Sequence, residues 1–182
     1  MPDTDPKPAY GDGAAASRLH ESLSAAHHCR LTSHFAMAEL YYRCALREAE
    51  SIYGRESAAI APILSELGLV YRNLGRLQEA HRAYVKALEI AEDFFGPDHA
   101  QLAGIYRGLG DIEYARGRFL AGEPYAQRSV ENREQAMGRD HLEVAEDLTL
   151  LAALLEGQGR HTESESLYRR ALAVFEAVCG PR

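Results

Sequence analysis

Apolar residues recur along the chain at helical spacing. Leu64, Leu67, Gly68 and Tyr71 fall at i, i+3, i+4 and i+7, which puts them on one face of a helix. Asn73-Leu74-Gly75-Arg76 interrupts that face, and Gly75 supplies the left-handed conformation that a helix end favours. A second face follows in Leu77, Ala80, Tyr84, Ala87, Leu88 and Ala91, and Gly96 closes it. The pattern predicts two antiparallel helices joined by a short turn.

This unit, Arg55 to Gly96, recurs. Gly54, Gly96, Gly138 and Gly180 stand 42 residues apart, and Gly75, Gly117 and Gly159 keep the same interval. Each of the latter three is followed by Arg: Arg76, Arg118 and Arg160. Such a period is the signature of stacked repeats, in which each unit borrows its core from its neighbours. The register divides 14–182 into hairpins at 14–54, 55–96, 97–138 and 139–180, and predicts an all-α solenoid. Small residues hold columns where helices must approach: Ala26, Gly68, Gly110 and Ala152; Ala38, Ala80, Gly122 and Ser164; Ala45, Ala87, Ser129 and Ala171. Large residues, among them Tyr42, Tyr84 and Tyr168, fill the holes between. Asp98-His99-Ala100-Gln101 and Asp140-His141-Leu142-Glu143 read as capping boxes with Asp as the cap, which leaves His99 and His141 in structural turns; Ser57 is the expected cap in the preceding unit. Residues 1–13, with three Pro, two Gly and almost no apolar content, read as a disordered arm.

Composition narrows the function. The chain has 182 residues and a net charge of −7, which argues against a general affinity for nucleic acid or anionic lipid. No apolar run approaches membrane length and no signal peptide is evident, so the expectation is a soluble cytoplasmic protein. Cys29, Cys44 and Cys179 fit no zinc or CxxC spacing and read as reduced, packed thiols. His20-Glu21-Ser22-Leu23-Ser24 lacks the second histidine of a zinc-protease motif, and His20, His27, His28 and His34 read as solvated or groove-lining rather than metal-binding. No nucleophile, phosphate-binding or metal motif stands out, so no enzyme and no cofactor are expected.

The residues resemble the tetratricopeptide repeat. Leu64-x2-Leu67-Gly68-x2-Tyr71 with Ala80, Tyr84 and Ala87 matches its signature at each diagnostic position except the closing Pro. The third and fourth units match through Tyr106, Leu109 and Gly110 and through Leu148, Leu151, Ala152, Leu155, Tyr168 and Ala171; the first unit is degenerate, as a capping repeat tends to be. The 42-residue length, the G-x-D-H turn and Gly122-Glu123-Pro124-Tyr125 are similar to the long repeats of kinesin light chains and nephrocystin-like proteins, with Pro124 near the start of its helix. Where kinesin light chains carry paired Asn, this chain has Ser65-Glu66, Arg107-Gly108 and Thr149-Leu150.

The resemblance implies a right-handed α-α superhelix and a protein–protein interaction scaffold or adaptor. The first helix of each hairpin would line a concave groove that holds a peptide or helix of a partner. Groove positions by register include Arg30, Ser65, Leu69, Arg72, Asn73, Arg107, Asp111, Tyr114, Glu146 and Thr149. Arg30, Arg72 and Arg107 admit two roles: local ion pairs with Glu66 or Asp111, or reception of a partner's carboxylates, which would give that partner acidic character. The chain stops at a repeat boundary, and Leu167, Leu172, Phe175 and Val178 on the final helix form a stripe that no further hairpin covers. That stripe suggests homo-oligomer formation through the C-terminal hairpin. The alternative role is an accessory or regulatory subunit of an enzyme complex, docked through the outer or C-terminal face.

Overall fold

The computed structural model describes residues 12–180. The expected arm lies outside the described residues except for its last two positions, which begin the first helix. The described residues form eight α-helices: α1 (Asp12–Leu31), α2 (Phe35–Tyr53), α3 (Ile60–Asn73), α4 (Leu77–Phe95), α5 (Ala103–Ala115), α6 (Phe119–Met137), α7 (Leu142–Gly157) and α8 (His161–Cys179). A 3-10 turn at Ala100–Leu102 leads into α5. Consecutive helices pair as antiparallel hairpins, α1 with α2 through α7 with α8.

Stacking is carried by α2 on α3, α4 on α5 and α6 on α7. The first helices also meet directly, α3 with α5 and α5 with α7, whereas α4 and α6 make no comparable contact. Closer spacing on one side bends the stack. The odd-numbered helices therefore line the concave face, and the even-numbered ones form the outer layer.

The 42-residue spacing has a direct structural counterpart. Gly54, Gly96, Gly138 and Gly180 all take φ between 80° and 86° at the ends of the second helices. Gly75, Gly117 and Gly159 take φ between 69° and 79° inside the hairpins, where the degenerate first unit has Ser33 at φ 60°. The small-residue columns are buried throughout. Tyr84 shows why: its ring lies between α3 and α5, and a Cβ at Gly68 would come within 2.7 Å of it. At Gly108 the added Cβ would fall inside the ring's contact distance.

Three expectations need correcting. The N-caps are His99 and His141 rather than Asp98 and Asp140. Each imidazole Nδ1 accepts from the backbone N–H two residues on, at 3.3 Å from Gln101 and 3.2 Å from Glu143. Ser57 occupies the same register position and its hydroxyl accepts from Ala59 N–H at 3.3 Å, although α3 starts only at Ile60. Asp98 instead takes Arg128 at 2.6 Å. Pro124 lies beyond the first turn of α6, so the Leu120 carbonyl loses its helical donor. Tyr168 is 36% exposed, whereas Tyr42 and Tyr84 are buried, because among the described residues nothing packs over α8.

Candidate functional site on the concave face

The concave face carries a ladder of ion pairs. Each rung joins an arginine on one inner helix to a carboxylate on the next. Arg30 on α1 reaches Glu66 on α3 at 2.8 Å. Arg72 on α3 reaches Asp111 on α5 at 3.4 Å. Arg107 on α5 reaches Glu146 on α7 at 2.5 Å and lies 3.6 Å from Asp147. The three arginines singled out in the sequence thus sit where the register put them, and each already holds a carboxylate of its own chain. Of the two roles open to them, the local ion pair is present in this structure. A carboxylate from outside would have to share or exchange.

The rungs differ in how firmly they are set. Glu66 also accepts from the Tyr42 hydroxyl at 2.9 Å, and burial together with that carboxylate pushes the Tyr42 phenol up to about 12. Arg107 is anchored on two carboxylates. The Arg72–Asp111 pair is the longest of the three primary rungs, and Arg72 is exposed. Burial pushes the Asp111 carboxyl above its usual range, while Arg72 and Arg107 pull it down.

The remaining predicted groove residues fall into two groups. Ser65, Asn73 and Thr149 spend their polar atoms on their own helices. Ser65 and Thr149 hydroxyls donate to the carbonyls of Ala61 and Ala145 at 3.0 and 2.9 Å, and Asn73 Nδ2 donates to Leu69 at 2.8 Å. Leu69 and Tyr114 present apolar surface. Tyr114 is exposed and rests against the Phe119 ring at 5.6 Å, at the α5–α6 turn.

Leu69 and Ser65 border a feature that residue types alone did not announce. A cavity of about 490 Å³ opens between α3 and α5. Its walls are Ala61, Pro62, Leu69, Gly104 and Ile105, with Tyr84 and Phe95 of α4 behind. Gly104 leaves part of one wall without a side chain. It has an ordinary helical φ, and a Cβ there would meet nothing within 4 Å, so neither conformation nor packing requires glycine. The register signal was available: the equivalent positions are Pro62 and Glu146, both larger.

On the last hairpin, Leu167 and Phe175 pack partly against the core, while Leu172 and Val178 stand exposed. Tyr168 lies beside Leu172, and its hydroxyl donates to Glu156 at 3.3 Å. The described residues contain no cluster of three metal-ligating side chains and no helix long and apolar enough to cross a membrane.

Comparison with known proteins fixes the family. The tetratricopeptide repeat profile matches residues 59–119 and 101–177. Comparison with curated proteins finds no match. Among solved structures, the fold is similar to BtubC (BKLC) from P. vanneervenii, with TM-score 0.80, 21% identity and 90% of this chain covered. The match takes in 65% of that protein, so this chain spans just under two thirds of its length. A putative kinesin light chain from Podosopora anserina, built of nearly identical repeats, is also similar. One form of it gives TM-score 0.73 at 16% identity, covering 91% of this chain and 78% of that one. At these identities the likeness is one of fold.

Proposed function

The chain belongs to the tetratricopeptide repeat family, and from that premise we propose that it is a protein-interaction scaffold whose concave face holds a peptide or helix of a partner. Tetratricopeptide repeats mediate protein–protein interaction, and their helical stack is typically a non-catalytic framework. The observation that carries the reading is the cavity between α3 and α5. It is mostly apolar, it lies on the inner layer, and Gly104 leaves space in its wall that the fold does not need. Apolar pockets flanked by a few placed polar groups are the usual receptors for a partner's anchoring side chain.

Acidic character in the partner is supported by Arg72. Its bond to Asp111 is the loosest primary rung, and Asp111 is a poorly solvated carboxylate. A partner carboxylate can share Arg72 with Asp111, which keeps the charge of Arg107 nearby, and gain a charge-assisted hydrogen bond. Arg107 supplies a second positive group one helix further on.

A second reading is favoured by the stripe of Tyr168, Leu172 and Val178 on α8. Here the stack docks by its last hairpin, as an accessory subunit or against a second copy. Capture from native extract separates the two readings. We expect Arg72→Glu/Arg107→Glu, with helicity confirmed, to lose a protein that the unmodified chain and Leu172→Asp both retain. Retention by the groove variant with loss by Leu172→Asp would transfer the function to α8.

A further inference from the structure

Three hairpins place an arginine immediately before their second helix: Arg76, Arg118 and Arg160. Two of these close a clamp on two carboxylates. Arg76 donates to Glu39 of the preceding hairpin at 2.6 Å and to Glu79, one turn into its own helix, at 2.6 Å. Arg160 does the same with Glu123 and Glu163, both at 2.7 Å. For Arg118 the equivalent positions hold His81 and Ala121. Neither carboxylate is there.

Arg118 turns inward instead. Its Nε and Nη2 reach Glu113 at 2.5 and 2.7 Å. Glu113 is 2% exposed and is already engaged by Arg116 at 3.0 Å. Arg116 also donates to the Leu77 carbonyl at 2.8 Å and to Gln78 Oε1 at 3.0 Å. His81 Nε2 lies 3.4 Å from the same carboxylate. Two guanidinium groups therefore face one carboxylate, an excess of one positive charge on a chain of net charge −7. In the intact clamps Arg76 and Arg160 each meet two carboxylates, with Arg43 also 3.7 Å from Glu39, so neither clamp carries an excess of positive charge.

The surroundings extend this imbalance to the surface. The Arg118 side chain is half exposed. The helix that starts beside it, α6, has no acidic residue in its first turn, whereas α4 and α8 have Glu79 and Glu163 there. The positive end of α6 is thus uncompensated. Next to Arg118, Leu120 is 76% exposed at a position that is Gln78 and Thr162 in the neighbouring hairpins.

We propose that this edge, formed by Arg118, His81 and Leu120, docks a partner protein segment through a side-chain carboxylate, with an apolar residue beside it resting on Leu120. The occupant's chemistry is read from the molecule itself. At the same place in two other hairpins the arginine's ligands are glutamate carboxylates, and here both are missing. A docked carboxylate completes the clamp and neutralises the excess charge by charge-assisted hydrogen bonds. The site lies on the ridge of intra-hairpin turns, away from the concave face, and does not rest on the groove reading. Burial, with Arg116 and Arg118, holds the His81 imidazole below its usual range against the pull of Glu113. Docking of an anion raises it.

The test titrates the full chain with acetyl-Leu-Asp-Leu-amide, with its Asn analogue and with inorganic phosphate, reading the Arg118 Nε–H and His81 ring signals by NMR. The Asp peptide is expected to shift both signals saturably, to raise the His81 pKa, and to bind about tenfold more tightly than the Asn analogue. Ala121→Glu and His81→Glu each restore one missing carboxylate, and each should weaken the Asp peptide by about tenfold. Ala121 is an exposed helical position, so that variant keeps its fold. Equal binding of the two peptides, an Asp peptide that leaves both signals unmoved, or undiminished binding to both variants overturns the proposal. Saturation by phosphate with no response to the Asp peptide also overturns it, by marking a site for a free anion.

Discussion

Gly104 and Gly108 stand one turn apart on α5 and act in opposite ways. A Cβ at Gly104 enters open space, while one at Gly108 runs into the ring of Tyr84. Gly104→Ala should stabilise the chain by up to about 1 kcal/mol through backbone entropy and helix propensity. Gly108→Ala should destabilise it by about 1–3 kcal/mol through overpacking. Urea denaturation midpoints of the two variants decide the matter, and equal shifts would show that the cavity is not open as described. The sequence separates these glycines only weakly. Both sit on the inner helix at non-turn positions, and what distinguishes them is that Tyr84 of α4 reaches Gly108 while nothing comes within 4 Å of a Cβ at Gly104. The caps show the same limit. Asp, His and Ser can all accept from a helix N–H, and the choice of His99 and His141 over the neighbouring aspartates is settled by the geometry of the turn, with Asp98 drawn off by Arg128.

At the scale of elements, the α6–α7 junction is unlike the others. Ser129, Arg133 and Asp147 are buried together where the preceding unit has Ala87, Ala91 and Ile105. Asp147 lies 2.7 Å from the Ser129 hydroxyl and 2.7 Å from Arg133 Nε, and Arg133 also pairs with Glu143. Burial pushes the Asp147 carboxyl up, against the pull of Ser129, Arg133 and Arg107. Asp147→Ala should cost about 3–5 kcal/mol, since it leaves the Arg133 guanidinium buried with one partner fewer. Replacing all three by the residues of the preceding unit (Ser129→Ala, Arg133→Ala and Asp147→Ile) should be neutral or stabilising by about 1–4 kcal/mol. Calorimetry on both proteins checks the pair of outcomes; a triple variant as unstable as the single one would contradict it. The 42-residue register revealed the helices, the turns and the small-residue columns because those obey one rule in every unit. The polar junction breaks the rule in one unit, and read singly these residues look like a solvated face. Aligned by column, they stand out as polar residues in apolar positions, and His81 and Ala121 stand out as departures from glutamate in theirs.

For the whole molecule, curvature follows from the inner helices meeting while the outer ones do not. The result is a groove walled by α3, α5 and α7, crossed by the rungs of Arg72 and Arg107, with one apolar cavity beneath Leu69. The register located these arginines and offered Glu66 and Asp111 as local partners, but it did not pair Arg107 with Glu146, which approaches only when successive hairpins stack. The central claim is that this face, rather than α8, receives the partner. Amide hydrogen exchange on the full chain with and without its captured partner measures that directly. The account predicts new protection along α3 and α5, centred on residues 61–72 and 103–111, with α8 unchanged. Protection confined to α8, with α3 and α5 exchanging as in the free chain, would contradict it.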